Sequence, residues 1–246
     1  PEGVGAVQGR CGERVGPVLE VLLGLGQLLE DHPALDLDVV AAERRIEDEA
    51  AQQVGREAGL LGRDPQLDGG ALAIGHRVEV AAAAVDGLGH GPLAALAAQA
   101  ALGQLQRLPS SEPGPLVDAA HDALRSTRGA ALAAARIDFD NDVVRFAGIG
   151  NIGAYVIDGD SRRALVSHNG IVGHNMRKVQ EFSVPCAPGA LCILHSDGIQ
   201  TQWDLDKYPG LTSRSPALVA AMLMRDFIRR RDDAMVLVVR RHSGRA

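Results

Sequence analysis

The spacing of apolar positions changes at about residue 70 of the chain. Before that point, the stretches 18–31 and 37–61 place apolar residues at intervals of three and four, which is the period of an amphipathic helix. After it, short apolar runs separated by turn residues follow one another. We therefore predict an N-terminal segment, 1–70, that is helical or partly disordered, and a folded domain over 71–241.

The folded part opens with one strand and two helices. The run RVEVAAAAV at 77–85 is apolar and leads into a glycine-rich turn, which predicts a strand. The alanine-rich stretch 91–108 predicts a helix with Pro92 in its first turn, where a missing N–H leaves no hydrogen bond unmade. After a loop of Ser, Pro and Gly, residues 116–127 predict a second helix.

Alternating apolar and polar positions dominate from residue 129 onward. Segment 129–150 predicts a hairpin that turns at DFDND, and segment 153–168 predicts another that turns at DGD. The remaining predicted elements are two short strands within 179–198, a helix over 215–231 and a final apolar strand over 234–241. Because the helices are grouped and the strands follow one another in antiparallel runs, the pattern indicates an α+β domain.

Composition and charge narrow the classes of function. The chain has 46% apolar and 23% charged residues, which is typical of a globular protein. Its net charge of −6 argues against a nucleic-acid surface, since binding to phosphate backbones requires a basic stripe. The apolar run 17–29 is interrupted by Glu20 and is shorter than the roughly 20 residues of a membrane-spanning helix. We expect neither a nucleic acid nor a membrane as a partner.

Cysteine usage indicates the compartment. The three cysteines, Cys11, Cys186 and Cys192, form neither an even-numbered disulfide framework nor a zinc-binding spacing. We therefore expect reduced thiols and a cytoplasmic protein. The acidic balance of the chain also suits a protein that binds divalent cations.

Three acidic signals lie next to apolar strands. Asp86 follows VEVAAAAV, Asp197 follows ALCILHS, and Asp232 with Asp233 precedes the final strand. Because strand ends at one edge of a sheet lie close in space, carboxylates that are distant in sequence can meet there. Clustered carboxylates repel one another unless a cation compensates, and their hard oxygen atoms suit Mg²⁺ or Mn²⁺. The carbonyl of Gly87 is a further candidate ligand.

Each acidic signal also has a purely structural interpretation. Asp-Gly is most often a turn, and RRRDDA is typical of a solvated loop next to a helix end. The stretch DGLGHG lacks the Lys and Ser/Thr of a phosphate-binding loop, and its glycine spacing differs from the dinucleotide fingerprint. Composition and spacing leave the turn and the metal-site interpretations open.

Several loop residues are candidates for lining a substrate groove. His90 lies in the DGLGHG turn, and SHNGIVGHN contains His168, Asn169 and Gly170 among other turn residues. For any single histidine, a surface or hydrogen-bonding role is the simpler interpretation. Trp203, in GIQTQWDLDKYPG, is interpreted as a packing residue beneath a loop.

Five motifs taken in order resemble a known family. They are VDGLGHGPLAALAA, FAGIGNIGAYV, LVSHNGIVGH, PGALCILHSDGIQTQWDL and RDDAMVLVV. Together they resemble the SpoIIE-type phosphatase domain, a bacterial branch of the metal-dependent (PPM) serine/threonine phosphatases, in the version found in RsbX-like regulators. The resemblance covers about residues 75–240.

The resemblance implies a fold and a reaction. The fold is a four-layer α-β-β-α sandwich, with two antiparallel sheets flanked by helices and two Mn²⁺ or Mg²⁺ ions at one end. The reaction is hydrolysis of phosphoserine or phosphothreonine on a regulatory protein, such as an anti-sigma-factor antagonist or a stressosome protein with a STAS domain. Metal-activated water is the nucleophile, so no side-chain nucleophile is expected.

The same resemblance assigns metal ligands by position. Asp86 and the Gly87 carbonyl correspond to the first motif, Asp197 to the SDG motif and Asp232 to the terminal DD pair. These residues are expected to hold the two ions.

The sequence departs from the family upstream of these motifs. The family has a Gly-Asp pair whose carboxylate is a further ligand, and the corresponding stretch here is LDGGALAIGHRVEV. Its acid, Asp68, precedes the glycines, whereas the expected position is Ala71 or a neighbour, so Asp68 is the remaining candidate. Met235 also stands where Thr is common.

This departure leaves two alternatives to an active phosphatase. One is a catalytically impaired, phosphatase-like binding module with an incomplete metal site. The other is an interaction domain whose acidic turns are only turns.

Overall fold

The computed structural model describes residues 37–44, 68–76, 79–176, 178–229 and 232–241. These residues form two five-stranded antiparallel sheets and three α-helices. The strands are β1 (Leu37–Arg44), β2 (Gly69–His76), β3 (Glu79–Gly87), β4 (Ala130–Asp138), β5 (Val143–Ile149), β6 (Gly153–Asp158), β7 (Ser161–Ala164), β8 (Phe182–Pro185), β9 (Leu191–His195) and β10 (Ala234–Arg241). The helices are α1 (Pro92–Arg107), α2 (Pro113–Leu124) and α3 (Pro216–Asp226), with a short 3-10 helix at Leu211–Ser213.

The two sheets are assembled from strands that are not consecutive in sequence. The first sheet has the order β1-β10-β9-β6-β7, and the second has the order β2-β3-β4-β5-β8. The chain therefore passes between the sheets several times. The crossing from β5 to β6 uses only residues 150–152, so the ends of these two strands are held close together.

Three apolar layers separate the helices and sheets. The central layer lies between the sheets and includes Phe146 of β5 and Leu194 of β9. Helices α1 and α2 cover the second sheet through residues such as Leu105 and Leu124, and α3 covers the first sheet through Leu223. The expected α+β fold, with four layers in the order α-β-β-α, is confirmed.

Local turn chemistry accounts for the two predicted hairpins. At the β4–β5 turn, the Asp138 carboxylate accepts hydrogen bonds from the backbone N–H groups of Asp140 and Asn141, and Asp142 adopts a φ of 51°. At the β6–β7 turn, Gly159 adopts a φ of 56°. Both hairpins form where the alternating pattern and its turn residues predicted them.

Strand β1 corrects the second of the two N-terminal helices expected from the sequence. It pairs with β10 along its whole length, from Leu37 opposite Arg241 to Arg44 opposite Ala234. The helix was wrong here because β10 offers a row of backbone donors and acceptors that the LDVVAAER segment satisfies by pairing. The rest of that stretch, and the first expected helix at 18–31, lie outside the described residues.

Helix α3 ends earlier than predicted, at Asp226. After it, the Phe227 carbonyl accepts a hydrogen bond from the N–H of Gln200, and the Arg229 N–H donates to the Gly198 carbonyl at 2.6 Å. These bonds fasten the segment after α3 to the loop after β9 and replace further helical turns. No helix in the described part of the chain is both long and apolar enough to cross a membrane.

Truncation of Phe146 tests the packing between the sheets. Its side chain is fully buried, and its cross-strand partner on β4 is Ala135, one of several alanines in the central layer that cannot expand to fill a void. We expect Phe146→Ala to lower the free energy of unfolding by about 3–5 kcal/mol, measured by urea denaturation. Val166→Ala, at a position that is 58% exposed, is the control and should change it by less than about 0.5 kcal/mol. Equal effects of the two substitutions would contradict this account.

Candidate active site

Strand ends of the second sheet bring Asp68 and Asp86 together. Strand β2, which the sequence pattern did not predict, pairs with β3 so that Gly69 lies opposite Asp86. The Asp68 carbonyl accepts a hydrogen bond from the N–H of Gly87 at 2.7 Å. The Asp68 carboxylate accepts one from the N–H of Gly91 at 2.5 Å. Asp68 is therefore held beside the end of β3 and the start of α1.

Asp68 and Ala71, the two positions considered for the upstream acid, lie in different surroundings. Ala71 is fully buried in the central layer between the sheets, where an ionised carboxylate would be strongly disfavoured. Asp68 lies at the sheet edge instead, next to Asp86. The antiparallel register of β2 and β3 decides this, and that register is not readable from the order of Asp and Gly in LDGG.

The first sheet contributes acids at the same edge. Asp197 follows β9, and Asp232 and Asp233 precede β10. Because β9 and β10 are adjacent and antiparallel, the end of one and the start of the other lie together. The Ser196 hydroxyl accepts a hydrogen bond from the N–H of Met235 at 3.0 Å and so ties the two loops to each other.

Five aspartates thus form one acidic cluster that spans both sheets: Asp68, Asp86, Asp197, Asp232 and Asp233. The N–H of Asp68 donates to Oδ2 of Asp233 at 3.5 Å, which is a contact between the sheets. The N–H of Asp233 donates to Oδ1 of Asp232 at 3.0 Å. Asp233 was not among the predicted ligands, although the DD pair in the sequence was the signal for it.

The cluster changes the acidity of its members. Burial, followed by the charges of Asp197, Asp232, Asp68 and Asp233, raises the pKa of Asp86 to about 7. Burial and the charge of Asp197 also raise the pKa of Asp232. Carboxylates that are partly buried beside one another favour a cation in their midst.

The donor atoms of the acidic cluster suit a divalent cation, but the carboxylates are farther apart than the ligands of a bound ion. Among the described residues, no three His, Cys, Asp or Glu side chains lie close enough to enclose a metal ion. Ligand oxygens must come within about 2.0–2.6 Å of Mg²⁺ or Ca²⁺, whereas charge repulsion acts over longer distances. The carboxylates are thus close enough to repel one another but do not yet converge at ligand distances. Their chemistry, all hard oxygen, fits Mg²⁺ or Mn²⁺.

Asn151 is a further residue of the site that the sequence interpretation missed. It lies in the crossing between β5 and β6, and its side-chain amide donates to Oδ2 of Asp197 at 2.5 Å. The motif FAGIGNIGAYV contained the signal, since it places an asparagine between two glycines directly after a strand. The short crossing between the sheets delivers this amide to the acidic edge.

A buried hydrogen-bond chain supports the Asp197 loop from behind. The indole N–H of Trp203 donates to Nε2 of His195 at 3.0 Å, and Nδ1 of His195 bonds the Ser196 carbonyl at 2.8 Å. Because an indole N–H can only donate, Nε2 must accept and the proton lies on Nδ1. Burial lowers the pKa of His195, which favours this neutral form. Trp203 is buried, as the packing interpretation predicted.

The loop after Asp86 is shaped by close contacts. A Cβ at Gly87 would lie 2.2 Å from the Ala94 carbonyl oxygen and 2.7 Å from that of Asp68, so only glycine fits between them. His90, three residues farther along, is exposed to solvent. The structure therefore places Gly87 against the acidic cluster and leaves His90 on its rim.

The other groove candidates lie along the same edge at a distance. His168 forms a bridge with Ile149 at the end of β5, and β5 is separated from β3 by β4. Three strand spacings, about 14 Å, therefore separate His168 from Asp86. Asn169 is exposed, and Gly170 adopts a φ of 154°. These residues therefore lie too far from Asp86 to bind the same ion, and their role in a substrate groove stays a prediction.

Comparison with protein-family models shows the family to which the chain belongs. Residues 77–242 match the model for Stage II sporulation protein E (SpoIIE). The chain belongs to the SpoIIE family. The matched range contains strands β3–β10 and the predicted ligands Asp86, Asp197 and Asp232, whereas Asp68 precedes it. A search of curated proteins found no match to this SpoIIE-family chain.

Solved structures similar to this SpoIIE-family chain have the same fold. One, described as "The bacterial stressosome: a modular system that has been adapted to control secondary messenger signaling", is 26% identical with a TM-score of 0.69, over 83% of this chain and 99% of that one. RsbX in complex with magnesium is 16% identical with a TM-score of 0.66, over 82% and 94% of the two chains. The PP2C phosphatase domain of SpoIIE from Bacillus subtilis, solved with a fragment of its regulatory domain, is 20% identical with a TM-score of 0.65, over 85% and 64%. The fold is therefore that of the PP2C-type phosphatases.

The raised pKa of Asp86 makes the stability of the metal-free domain depend on pH. The folded chain binds this proton up to pH about 7, whereas an unfolded chain releases it near pH 3.9. The free energy of unfolding should therefore fall as pH rises from about 4 to about 7, by a few kcal/mol at most, since one pKa unit is worth about 1.4 kcal/mol. Urea denaturation in EDTA between pH 5 and 8 measures this fall.

Asp86→Asn removes the titrating group and should flatten this pH dependence. Asp160→Asn, in the exposed turn between β6 and β7, is the control and should follow the unsubstituted protein. Parallel curves for Asp86→Asn and the unsubstituted protein would contradict the assignment.

Proposed function

We propose that this SpoIIE-family chain is a metal-dependent phosphatase that hydrolyses phosphoserine or phosphothreonine on a regulatory protein. The observation that carries this proposal is the acidic cluster, in which aspartates from both sheets meet at one edge of a PP2C-type fold. The family match supports it, and so does the similarity to RsbX, whose structure was solved in complex with magnesium.

The cluster has the donor atoms for two Mn²⁺ or Mg²⁺ ions. Asp86, Asp197 and Asp232, with the Gly87 carbonyl and Asp68, are the proposed ligands. Burial and then the charges of the other aspartates raise the pKa of Asp86, and positive charge at this edge would offset both effects. When bound, two such ions lower the pKa of a coordinated water and stabilise the oxygens that gain charge during in-line attack on phosphorus.

The surrounding residues of the chain position these ligands. Asn151 fixes one oxygen of Asp197 by donating to it. Ser196 links the Asp197 loop to the start of β10. The hydrogen bond from Trp203 holds the side chain of His195, two residues before Asp197, in one orientation. No side chain is assigned as a nucleophile, because an activated water fills that role.

The alternative is a phosphatase-like binding module with an incomplete metal site. The motivation for it was an upstream acid missing from the expected position. The contacts of Asp68 with Gly87 and Asp233 weaken that motivation, because they supply a carboxylate beside Asp86 from a different position. The alternative is still favoured by the spacing of the acids, because no three acidic, His or Cys side chains of the described residues lie close enough to enclose a metal ion.

Exposed leucines beside the site support a protein substrate. Leu88, Leu93 and Leu96, in the loop after Asp86 and the first turns of α1, are 47%, 53% and 56% exposed. Apolar side chains that flank a catalytic centre suit contact with another protein surface. We further propose a cytoplasmic, STAS-domain type of regulatory protein as the substrate, which the stressosome description of one similar structure supports.

Metal-dependent turnover tests the proposed function. The purified chain should hydrolyse p-nitrophenyl phosphate and a phosphothreonine peptide with Mn²⁺, and activity should disappear in excess EDTA. Asp197→Asn should lower kcat by about a hundredfold or more. The substitution removes a proposed metal ligand, and it also removes the charge of the carboxylate that accepts a hydrogen bond from Asn151. Steady-state kinetics at saturating Mn²⁺ measures this.

The matched control for Asp197→Asn is Asp160→Asn, which makes the same chemical change in an exposed turn and should leave kcat within about twofold. Calorimetric titration with Mn²⁺ separates the two candidate functions. Weak or absent Mn²⁺ binding together with no turnover favours the binding module with its incomplete metal site, and turnover that is indifferent to Asp197 or to Mn²⁺ excludes the metal-dependent mechanism.

A further inference from the structure

Arg128 lies at the rim of the acidic edge on a tightly fixed piece of backbone. It sits between the end of α2 and the start of β4. Thr127 Oγ1 donates to the Leu124 carbonyl at 2.8 Å and accepts the N–H of Gly129 at 3.0 Å. Gly129 adopts a φ of 80°, and a Cβ there would lie 2.6 Å from the Val172 carbonyl oxygen. The position of Arg128 is therefore determined by bonds on both sides of it.

The two loops proposed to shape the active site flank this arginine. On one side, the N–H of Leu88 donates to the Gly129 carbonyl at 2.9 Å. On the other, Ala130 and Val172 exchange two backbone hydrogen bonds of 3.1 and 2.9 Å. Nη1 of Arg128 lies 3.0 Å from the point where a Cβ on Gly89 would be. The guanidinium thus lies against the loop that follows Asp86.

The charge of Arg128 is not used by the fold. Its side chain is exposed and forms no ion pair or side-chain hydrogen bond with the residues that the structure describes. Arg136 and Arg145 differ, since Arg136 pairs with Glu79 and Arg145 with Glu112. The guanidinium therefore lies against the loop that follows Asp86, and none of the described carboxylates pairs with it.

A phosphorylated substrate is an anion that must approach an edge rich in carboxylates. Positive charge at the rim lowers the repulsion of that approach. A guanidinium also offers a planar fork of N–H donors that matches phosphate and carboxylate oxygens. We infer that Arg128 binds an anionic group of the phosphorylated substrate, either the phosphoryl group itself or a carboxylate next to it. This inference rests on the proposed phosphatase function.

Substitution of Arg128 tests this role. At saturating Mn²⁺, Arg128→Ala should raise KM for a phosphothreonine peptide with a neighbouring glutamate by about five- to twentyfold, with kcat within about twofold. Arg128→Lys should recover part of the affinity because it keeps the charge but not the fork. Arg125→Ala is the matched control, since Arg125 is an equally exposed arginine at the end of α2 that pairs with Asp122, and it should leave KM unchanged.

A second peptide and a small substrate identify the anionic group. If Arg128 contacts the phosphoryl group, Arg128→Ala also raises KM for p-nitrophenyl phosphate and for the peptide with alanine in place of glutamate. If it contacts the carboxylate, only the glutamate peptide is affected. An unchanged KM on all three substrates overturns the inference. So does an equal rise in KM for Arg125→Ala, or a fall in the Tm of Arg128→Ala large enough to explain its raised KM by unfolding.

Binding measurements separate this inference from the proposed function. The fluorescence anisotropy of the labelled glutamate phosphopeptide, with the Mn²⁺-loaded chain, gives a Kd that does not require turnover. A Kd weakened by Arg128→Ala in a chain without phosphatase activity supports the inference and removes the proposed function. A Kd that is unchanged in an active chain removes the inference alone.

Discussion

The repulsion between Asp86 and the other acids of the cluster is the interaction on which the site depends. These carboxylates come from strand ends of two different sheets, so the sheets must stack closely for the charges to meet. The energy that holds them there comes from the central apolar layer, in which small alanines such as Ala84 and Ala133 allow a close approach. The fold thus stabilises an arrangement of charges that is unfavourable without a cation.

Short-range patterns predicted the elements whose causes are local. The hairpin at β4–β5 and the final strand β10 formed where alternation and turn residues placed them, because the turn of Asp138 and the apolar run of β10 require no distant partner to be recognised. Strand β1 was not predicted, since it depends on β10 at the far end of the described chain. Strand β2 was also not predicted, although its partner β3 begins at Glu79, close after His76. Over residues 37–44, pairing with β10 overrode the helical spacing.

The residues of the candidate site also differ in how far the sequence could predict them. Asp86, Asp197 and Asp232 could be selected because each adjoins an apolar strand, and strand ends tend to converge. Asp68 was placed in doubt, and Asn151 was not selected, because their positions follow from the register of β2 on β3 and from the short crossing between the sheets. These details of strand register and connection decide which polar residues reach the edge, and the spacing of apolar and polar positions does not show them.

The Asp-Gly pairs at Asp86 and Asp197 show why the turn and the metal-site interpretations were not true alternatives. Neither Gly87 nor Gly198 adopts a positive φ, so neither glycine is needed for a left-handed turn. A Cβ at Gly198 would lie 2.0 Å from the Asp233 carbonyl oxygen, and one at Gly87 would lie 2.7 Å from that of Asp68. In each sheet, the glycine after one acid therefore makes room for the backbone of a second acid. At Asp86 and Asp197 the glycine therefore acts through close approach and not through conformational freedom, whereas Gly159, after Asp158, adopts the positive φ of a turn.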